Sequence, residues 1–394
     1  MSNQSILFPI PEEVIERNTR FNSFLDTHLI SNLPGWYQDG AIPRTFFETL
    51  GREGWLGFDR LTGRWIQKPT LELAVLIETL ARTAPGVAVA MLAQTSLGMQ
   101  ALWMFGSEDH KQRYWEKAAR GETLLCLGNT ELDAGSDVAS IRTRAERRAG
   151  QGWRLFGGKA YVTNGSISDL TILTAVSDPT AERSRRISMY LVDLTSEGVI
   201  RKKLNKRVWI PSDLTRVQLN DVVVPEENLM GTQGKGLQQV LSVFTQSRLP
   251  ISALTTGTAV GAFELGLEHM RKRKLFGKPI SEFQAKTFEM ADLYSRLEAA
   301  RLMVWNACRT KDAGRPIRIH SSMAKYLAVQ IAREVSSWAA DLFGAASVVF
   351  EHPIHKFPMD AWASSLGEGT QDIQKLIIAR EVLNRASGMV QNEE

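Results

Sequence analysis

The stretch Trp153-Arg154-Leu155-Phe156-Gly157-Gly158-Lys159-Ala160-Tyr161-Val162-Thr163-Asn164-Gly165, with Leu170-Thr171-Ile172-Leu173-Thr174-Ala175-Val176 after it, decides the fold of this chain. Trp153 to Phe156, Tyr161 to Thr163 and Leu170 to Val176 are short runs rich in β-branched and aromatic residues. Gly, Asn, Ser and Asp bound them, as they bound strands. Ile187 to Val192 and Val217 to Val224 continue the pattern. No long helix separates these runs, which argues against parallel βαβ units and for an antiparallel barrel or sandwich over residues 124–236.

Helical periodicity lies on both sides. In residues 1–123, Leu71, Leu73, Val75, Leu76, Ile77, Leu80 and Ala81 form one broad apolar face that Pro85-Gly86 breaks. Val87 to Phe105 is apolar nearly all round, as in a helix buried in a core. Ser107-Glu108-Asp109 then reads as an N-cap and acidic first turn. In residues 237–394, Phe283, Met290, Leu293, Leu297, Ala300 and Val304 recur at helical spacing, and so do Ala324, Leu327, Ile331, Val335, Trp338 and Leu342. With helices from Leu237 to Arg271 and from Thr370 onward, these predict a four-helix bundle. The expected architecture is mainly α with a central β-domain.

Composition narrows the function. With 394 residues, 43 % hydrophobic and 23 % charged, the chain suits a globular protein of two or three packed units. Lys and Arg exceed Asp and Glu by only 47 to 43, which argues against a nucleic-acid binder. Cys126 and Cys308 lie far apart, and the histidines show no ligand spacing, so neither a disulfide nor a metal site is expected. The start lacks a basic n-region, and no stretch approaches the ~18 apolar residues of a membrane span, so a soluble cytoplasmic protein is expected.

The chemistry points to Ser365-Leu366-Gly367-Glu368-Gly369-Thr370. A carboxylate between two glycines has little bulk around it, so a ligand can approach closely. Held in a poorly solvated pocket, it would have a pKa raised towards that of a useful proton acceptor. Alone, the segment reads as a solvated Glu at a helix start with Thr370 as N-cap. Three further segments change that reading: Thr130-Glu131-Leu132-Asp133-Ala134-Gly135-Ser136-Asp137, Gly158 to Gly165, and Arg273-Lys274-Leu275-Phe276-Gly277-Lys278-Pro279-Ile280 with Gln284 beyond. In this order, and over almost the whole chain, the four segments resemble the acyl-CoA dehydrogenase family of flavoenzymes.

That resemblance implies the same three-part architecture and α,β-dehydrogenation of an acyl-CoA thioester by FAD. Glu368 would remove the α-proton while the β-hydrogen leaves as hydride to flavin N5. The backbone N–H of Glu368 and a flavin ribityl hydroxyl would bond the thioester oxygen. One relative group carries its base on the helix holding Gln246-Ser247-Arg248, but this chain has Ser247 there. The resemblance places Thr130, Tyr161, Thr163 and Thr370 at the FAD, Ser136 at FAD or thioester, and Arg248 and Gly369 at the substrate. Tyr161 stands where the family usually has Trp. Arg273, Phe276 and Gln284, on a bundle helix, would grip the FAD of a neighbouring subunit, making the protein a homotetramer or dimer. An electron-transfer flavoprotein would take the electrons.

The chain departs from the pattern at several places. Leu132-Asp133 replaces Pro-Gly, Asp341 replaces a Gln, Ala345 a Gly, and Met359 an Arg. Ala88 stands where relatives using glutaryl-type substrates have an Arg. The run Arg201-Lys202-Lys203 with Lys206 and Arg207 reads as a solvated face, or as a contact for a nucleotide phosphate or an acidic carrier protein. Two rival functions follow: a dehydrogenase of acyl groups on an acyl carrier protein in secondary metabolism, and a flavin-binding scaffold without turnover.

Overall fold

The computed structural model describes residues 10–59, 64–65 and 68–390. Its main helices are α1 (Glu12–Leu25), α2 (Leu33–Asp39), α3 (Arg44–Arg52), α4 (Thr70–Thr83), α5 (Pro85–Leu92), α6 (Gln100–Phe105) and α7 (Glu108–Ala119). After the strands come α8 (Gly236–Lys272), α9 (Gln284–Asp312), α10 (Arg318–Phe343), α11 (Lys356–Ala363) and α12 (Gln371–Val390). A π-helical segment, Ala93–Met99, joins α5 to α6. Ser107 caps α7: its hydroxyl accepts from the His110 N–H, and the His110 ring accepts from the Ser107 N–H.

The chain forms two compact units. The first takes the described residues of Met1–Ser31, Pro69–Ala88 and Arg248–Glu394; the second takes those of Asn32–Lys68 and Val89–Ser247. In the first unit, Val260, Phe263, Leu293, Leu297, Ala300, Ile331, Val335 and Trp338 form one core cluster. Val14, Leu71, Val75, Leu249, Val304, Trp305 and Ala328 form another. A buried ionic group crosses the bundle: Arg301 bonds Glu78 and Glu298 at 2.6 Å each, and Thr256 donates to Glu78 at 3.0 Å. Each buried charge therefore has partners, which such burial demands.

The second unit is built on an eight-stranded sheet. Its strands are β3 (Leu125–Gly128), β4 (Arg144–Arg148), β5 (Gly152–Thr163), β6 (Leu170–Val176), β7 (Ile187–Asp193), β8 (Val199–Lys203), β9 (Leu214–Val224) and β10 (Leu229–Met230), after a small hairpin of β1 (Phe58–Asp59) and β2 (Arg64–Trp65). The order is β10-β7-β6-β4-β5-β9-β8, with β3 beside β6. The apolar runs of β6 and β7 follow from burial on both faces. Leu170, Ile172, Met189 and Leu191 pack with helical residues such as Met99, Leu102 and Trp115, whereas Leu173, Ala175, Tyr190 and Val192 pack with Trp153, Val217 and Leu219.

The strands correct several expectations. Two runs expected to be separate, around Trp153 and Tyr161, are one strand, because Gly157-Gly158 permits a bulge instead of ending the ladder. Pairing is not wholly antiparallel: β3 runs parallel to β6, and the connection between them is long enough to allow that. The charged segments β4 and β8 were not expected as strands. β8 bonds only β9 and is exposed apart from Val199, so polarity here marks a sheet edge. The helix from Pro85 to Phe105 is, against expectation, long and apolar enough to span a membrane, but 72 % of its apolar window is buried within the fold.

Candidate active site

Glu368 lies in the loop from α11 to α12 with φ +50°, and Gly369 follows at φ +95°. A left-handed backbone at a non-glycine residue is held there by its surroundings. Here three consecutive carbonyls are fixed by side chains from three helices. Lys325 of α10 donates to the Gly367 carbonyl and, at 2.5 Å, to that of Gly369. Arg248 of α8 donates its Nε to the Glu368 carbonyl at 3.2 Å. Gln374 of α12 donates to the carbonyls of Glu368 at 3.2 Å and Gly369 at 2.9 Å. Gly369 is favoured by its φ, and a Cβ there would lie 2.8 Å from the Gln374 amide nitrogen and push that side chain aside.

The charges at this loop act on one another. Glu368 keeps a solvent-accessible side, but the surrounding protein pushes its pKa up, while Lys325 and Arg248 draw it back. Burial lowers Lys325 to about 8 and Arg248 to about 10, against the opposing pull of Glu368. The loop is therefore a carboxyl of raised pKa between two buried cations, with its backbone held. Raising the pKa of a carboxyl makes its ionised form a stronger proton acceptor. Ser247 is buried, and its hydroxyl bonds the Phe244 carbonyl at 3.4 Å.

In the second unit, the Thr130 loop meets the strand that carries Tyr161 and Thr163. The Ala160 N–H donates to the Thr130 carbonyl at 2.8 Å. The strand register shifts between Lys159 and Val162, and Tyr161 there takes φ +57° with 57 % of its surface exposed. Beneath the Thr130 loop lies a buried pair that the sequence reading missed. Lys159 Nζ bonds Glu131 at 2.7 Å and the Asn129 carbonyl at 3.1 Å, and Glu131 also accepts the N–H groups of Arg142 and Thr143. Burial lowers Lys159 to about 8, against the pull of Glu131. Burial alone would raise Glu131, but Lys159 and these hydrogen bonds hold it below the usual range. Leu132-Asp133 forms a tight turn closed by paired bonds between Glu131 and Ala134, and Ser136 is exposed beyond it.

Arg273 and Phe276 lie on a hairpin, β11 (Lys274–Leu275) and β12 (Lys278–Pro279), not on a bundle helix as expected; Gln284 opens α9. Phe276 and Gly277 have φ +50° and +86°, the paired positive values of a tight two-residue turn. This turn leaves Phe276 95 % exposed, with Arg273 and Gln284 also exposed. Asp341 is exposed, and its carbonyl accepts the Gly344 N–H at the end of α10. Thr370 is half-buried, and its carbonyl accepts the Gln374 N–H at 3.1 Å. His352 uses its Nδ1 to accept from the Ile354 N–H, so its spacing to His355 reflects a local cap.

These residue sets fit FAD. A planar ring needs broad apolar faces, and Tyr161 and Phe276 each present a ring to solvent on a constrained backbone. A pyrophosphate needs forked donors such as Arg273. Lys325 and Gln374 were missed by the sequence reading. Their signal was a polar residue on a core-facing helical position, since Ser321, Ser322, Lys325, Ala328, Val329 and Ala332 share the buried side of α10.

Comparison with known proteins gives the family and the fold. Residues 12–122, 126–222 and 234–383 match the N-terminal, middle and C-terminal domains of acyl-CoA dehydrogenase. A probable acyl-CoA dehydrogenase of Bacillus subtilis is 32 % identical over 88 % of this chain and 91 % of its own. Butyryl-CoA dehydrogenase from Megasphaera elsdenii superposes with TM-score 0.91 at 27 % identity, covering 95 % of this chain and 99 % of that one. The FAD complex of PigA superposes with TM-score 0.90 at 25 % identity, covering 96 % and 99 %. The chain belongs to the acyl-CoA dehydrogenase family.

Proposed function

We propose that Glu368 is the base that removes the α-proton of the acyl thioester in this FAD-dependent oxidation of a CH–CH bond. The observation that carries this reading is the fixed loop, in which burial raises the pKa of a carboxyl flanked by backbone that Lys325, Arg248 and Gln374 hold. When bound, FAD supplies the two-electron acceptor for the β-hydrogen. Glu368 takes the proton, and its own N–H stabilises the charge that develops on the thioester oxygen. Thr130, Tyr161, Thr163 and Thr370 would hold the cofactor, Ser136 the cofactor or thioester, and Gly369 the substrate backbone-side. Arg248, expected at the substrate, holds the carbonyl of the base and so acts at least in part through it.

Arg273, Phe276 and Gln284 would complete the cofactor site of a second copy, in a homotetramer or dimer. Their exposure within one chain supports this. We further propose an electron-transfer flavoprotein as acceptor, a cytoplasmic setting, and a division into domains at 1–123, 124–236 and 237–394. The basic run behind the carrier-protein alternative is exposed at Arg201, Lys202, Lys203 and Arg207 and is partly tied to the chain's own carbonyls. Arg201 bonds the carbonyls of Ser166 and Ser168, Lys203 that of Gly40, and Lys206 those of Val208 and Trp209. Anaerobic titration of the purified flavoprotein with acyl-CoA thioesters tests the proposal. Bleaching of the flavin by alkyl-CoA is expected. Bleaching only when the same acyl group is on a carrier protein would overturn the choice of substrate, and no bleaching by any thioester would favour the scaffold reading.

A further inference from the structure

We propose that Lys325 is a positioning residue that aims the backbone N–H of Glu368 at the thioester oxygen. The inference rests on the reading of Glu368 as the base and adds a role that the base does not perform. Lys325 is completely buried on α10, and its ammonium donates to the carbonyls of Gly367 and Gly369, on either side of Glu368. A trans peptide is planar, and its C=O and N–H point in opposite directions. The Gly367 carbonyl and the Glu368 N–H belong to the same peptide unit. Fixing the carbonyl on Lys325 therefore fixes that N–H to point away from α10.

Two further effects come from the same contact. A cation on the carbonyl polarises the peptide and makes its N–H a stronger donor. The left-handed backbone at Glu368 is also kept in place, since the Glu368 carbonyl is held by Arg248 and Gln374 and that of Gly369 by Lys325 and Gln374. Without Lys325, the Gly367–Glu368 peptide, which follows a conformationally permissive glycine, would be able to turn over. The amide would then donate away from the substrate although the carboxylate remained. The base and the oxygen-binding amide are thus set by different side chains.

The test uses the FAD-loaded enzyme and two non-reacting ligands, an acyl-CoA thioester analogue that cannot lose a β-hydrogen and the matching thioether, which lacks the carbonyl oxygen. Calorimetry measures the preference for thioester over thioether. Lys325→Met should lower that preference about tenfold or more, the scale of one aligned hydrogen bond, while thioether binding and FAD content stay unchanged. An unchanged preference would overturn the proposal. Should Lys325→Met not fold, a crystal structure of the unaltered enzyme with the thioester analogue decides. It should show the oxygen within hydrogen-bond distance of Glu368 N with Gly367 O on Lys325, and an oxygen bound elsewhere or a turned peptide would overturn the proposal. Glu368→Gln separates this from the base assignment. It should retain the thioester preference, and wild-type turnover in that variant would sink the base assignment but leave the Lys325 result standing.

Discussion

Arg248 Nε lies 3.2 Å from the carbonyl oxygen of Glu368, a residue 120 positions later in the chain. The contact uses the backbone of Glu368 and leaves its carboxyl available. The same is true of Lys325, which bonds the flanking carbonyls of Gly367 and Gly369, and of Gln374, which bonds those of Glu368 and Gly369. The cations at this loop thus keep hydrogen-bond partners whatever stands at the end of the 368 side chain.

Glu368→Gln should therefore fold and bind FAD normally but lose dehydrogenation by about a thousandfold or more, the upper range for removing a general base. Gln is nearly isosteric and cannot accept the proton. Stopped-flow flavin reduction measures the rate, and reduction near the wild-type rate would move the base to another residue.

The pH dependence follows from the same groups. Burial raises Glu368, so the base form is present above that raised pKa and is lost as pH falls through it. Lys325, lowered to about 8, loses its proton as pH rises through that value. The neutral amine still has N–H groups for its carbonyls but no longer polarises the peptide. The flavin-reduction rate should thus rise from acid pH to a plateau and decline above about pH 8, and Lys325→Met should lack the alkaline decline. The charged groups facing Lys325 are Glu368 and Arg248, and Arg318 in turn faces Arg248. Stability moves the other way on the alkaline side. Between about 8 and the ordinary lysine value, the unfolded chain binds a proton that the folded one does not, so the Lys325 contribution to stability rises with pH. A rate profile that is flat from pH 6 to 10 would contradict the assignment.

Arg273→Ala should release FAD more readily on dilution without altering far-ultraviolet circular dichroism. The guanidinium is exposed on a hairpin whose Phe276 is covered by little of its own chain, so its removal leaves no buried partner behind. Cofactor loss is read from the flavin fluorescence of the filtrate. A monomer that retains full flavin in sedimentation would show that this hairpin serves no second copy.

The helical parts and the paired apolar strands were legible because their periodicity records burial. Leu173 and Tyr190 face one core while Ile172 and Met189 face another, and this gives continuous apolar runs. What failed to show were strands whose burial is slight. The segments Arg144–Arg148 and Val199–Lys203 are polar because they are largely exposed, so no alternation marks them. At the site, Glu368, Thr130 and Arg273 could be named from local motifs. Lys325 and Lys159 could not, since each acts through backbone or carboxylate groups distant in sequence: 42 residues from Lys325 to Gly367 and 28 from Lys159 to Glu131. A lysine at a core-facing position of the helical pattern signals burial, as Lys325 does, but the groups it bonds are supplied only by the fold.

The acyl group should be uncharged, or at least lack a terminal carboxylate. Ala88 stands where relatives that use glutaryl-type substrates have an Arg, and it is completely buried. The segment Gly86-Val87-Ala88-Val89-Ala90-Met91 contains no cation. Arg82, on the preceding helix α4, is paired with Glu264 of α8 and is not free to meet a substrate. A carboxylate placed against so apolar a segment would remain unpaired, at a cost of several kcal/mol or about a hundredfold and more in specificity. Flavin reduction should accordingly be faster with butyryl-CoA than with glutaryl-CoA or succinyl-CoA at equal concentration, and Ala88→Arg should narrow or reverse that ratio. If the dicarboxylate thioesters prove the better substrates of the unaltered enzyme, an arginine outside this segment receives the carboxylate and Ala88 does not set the preference.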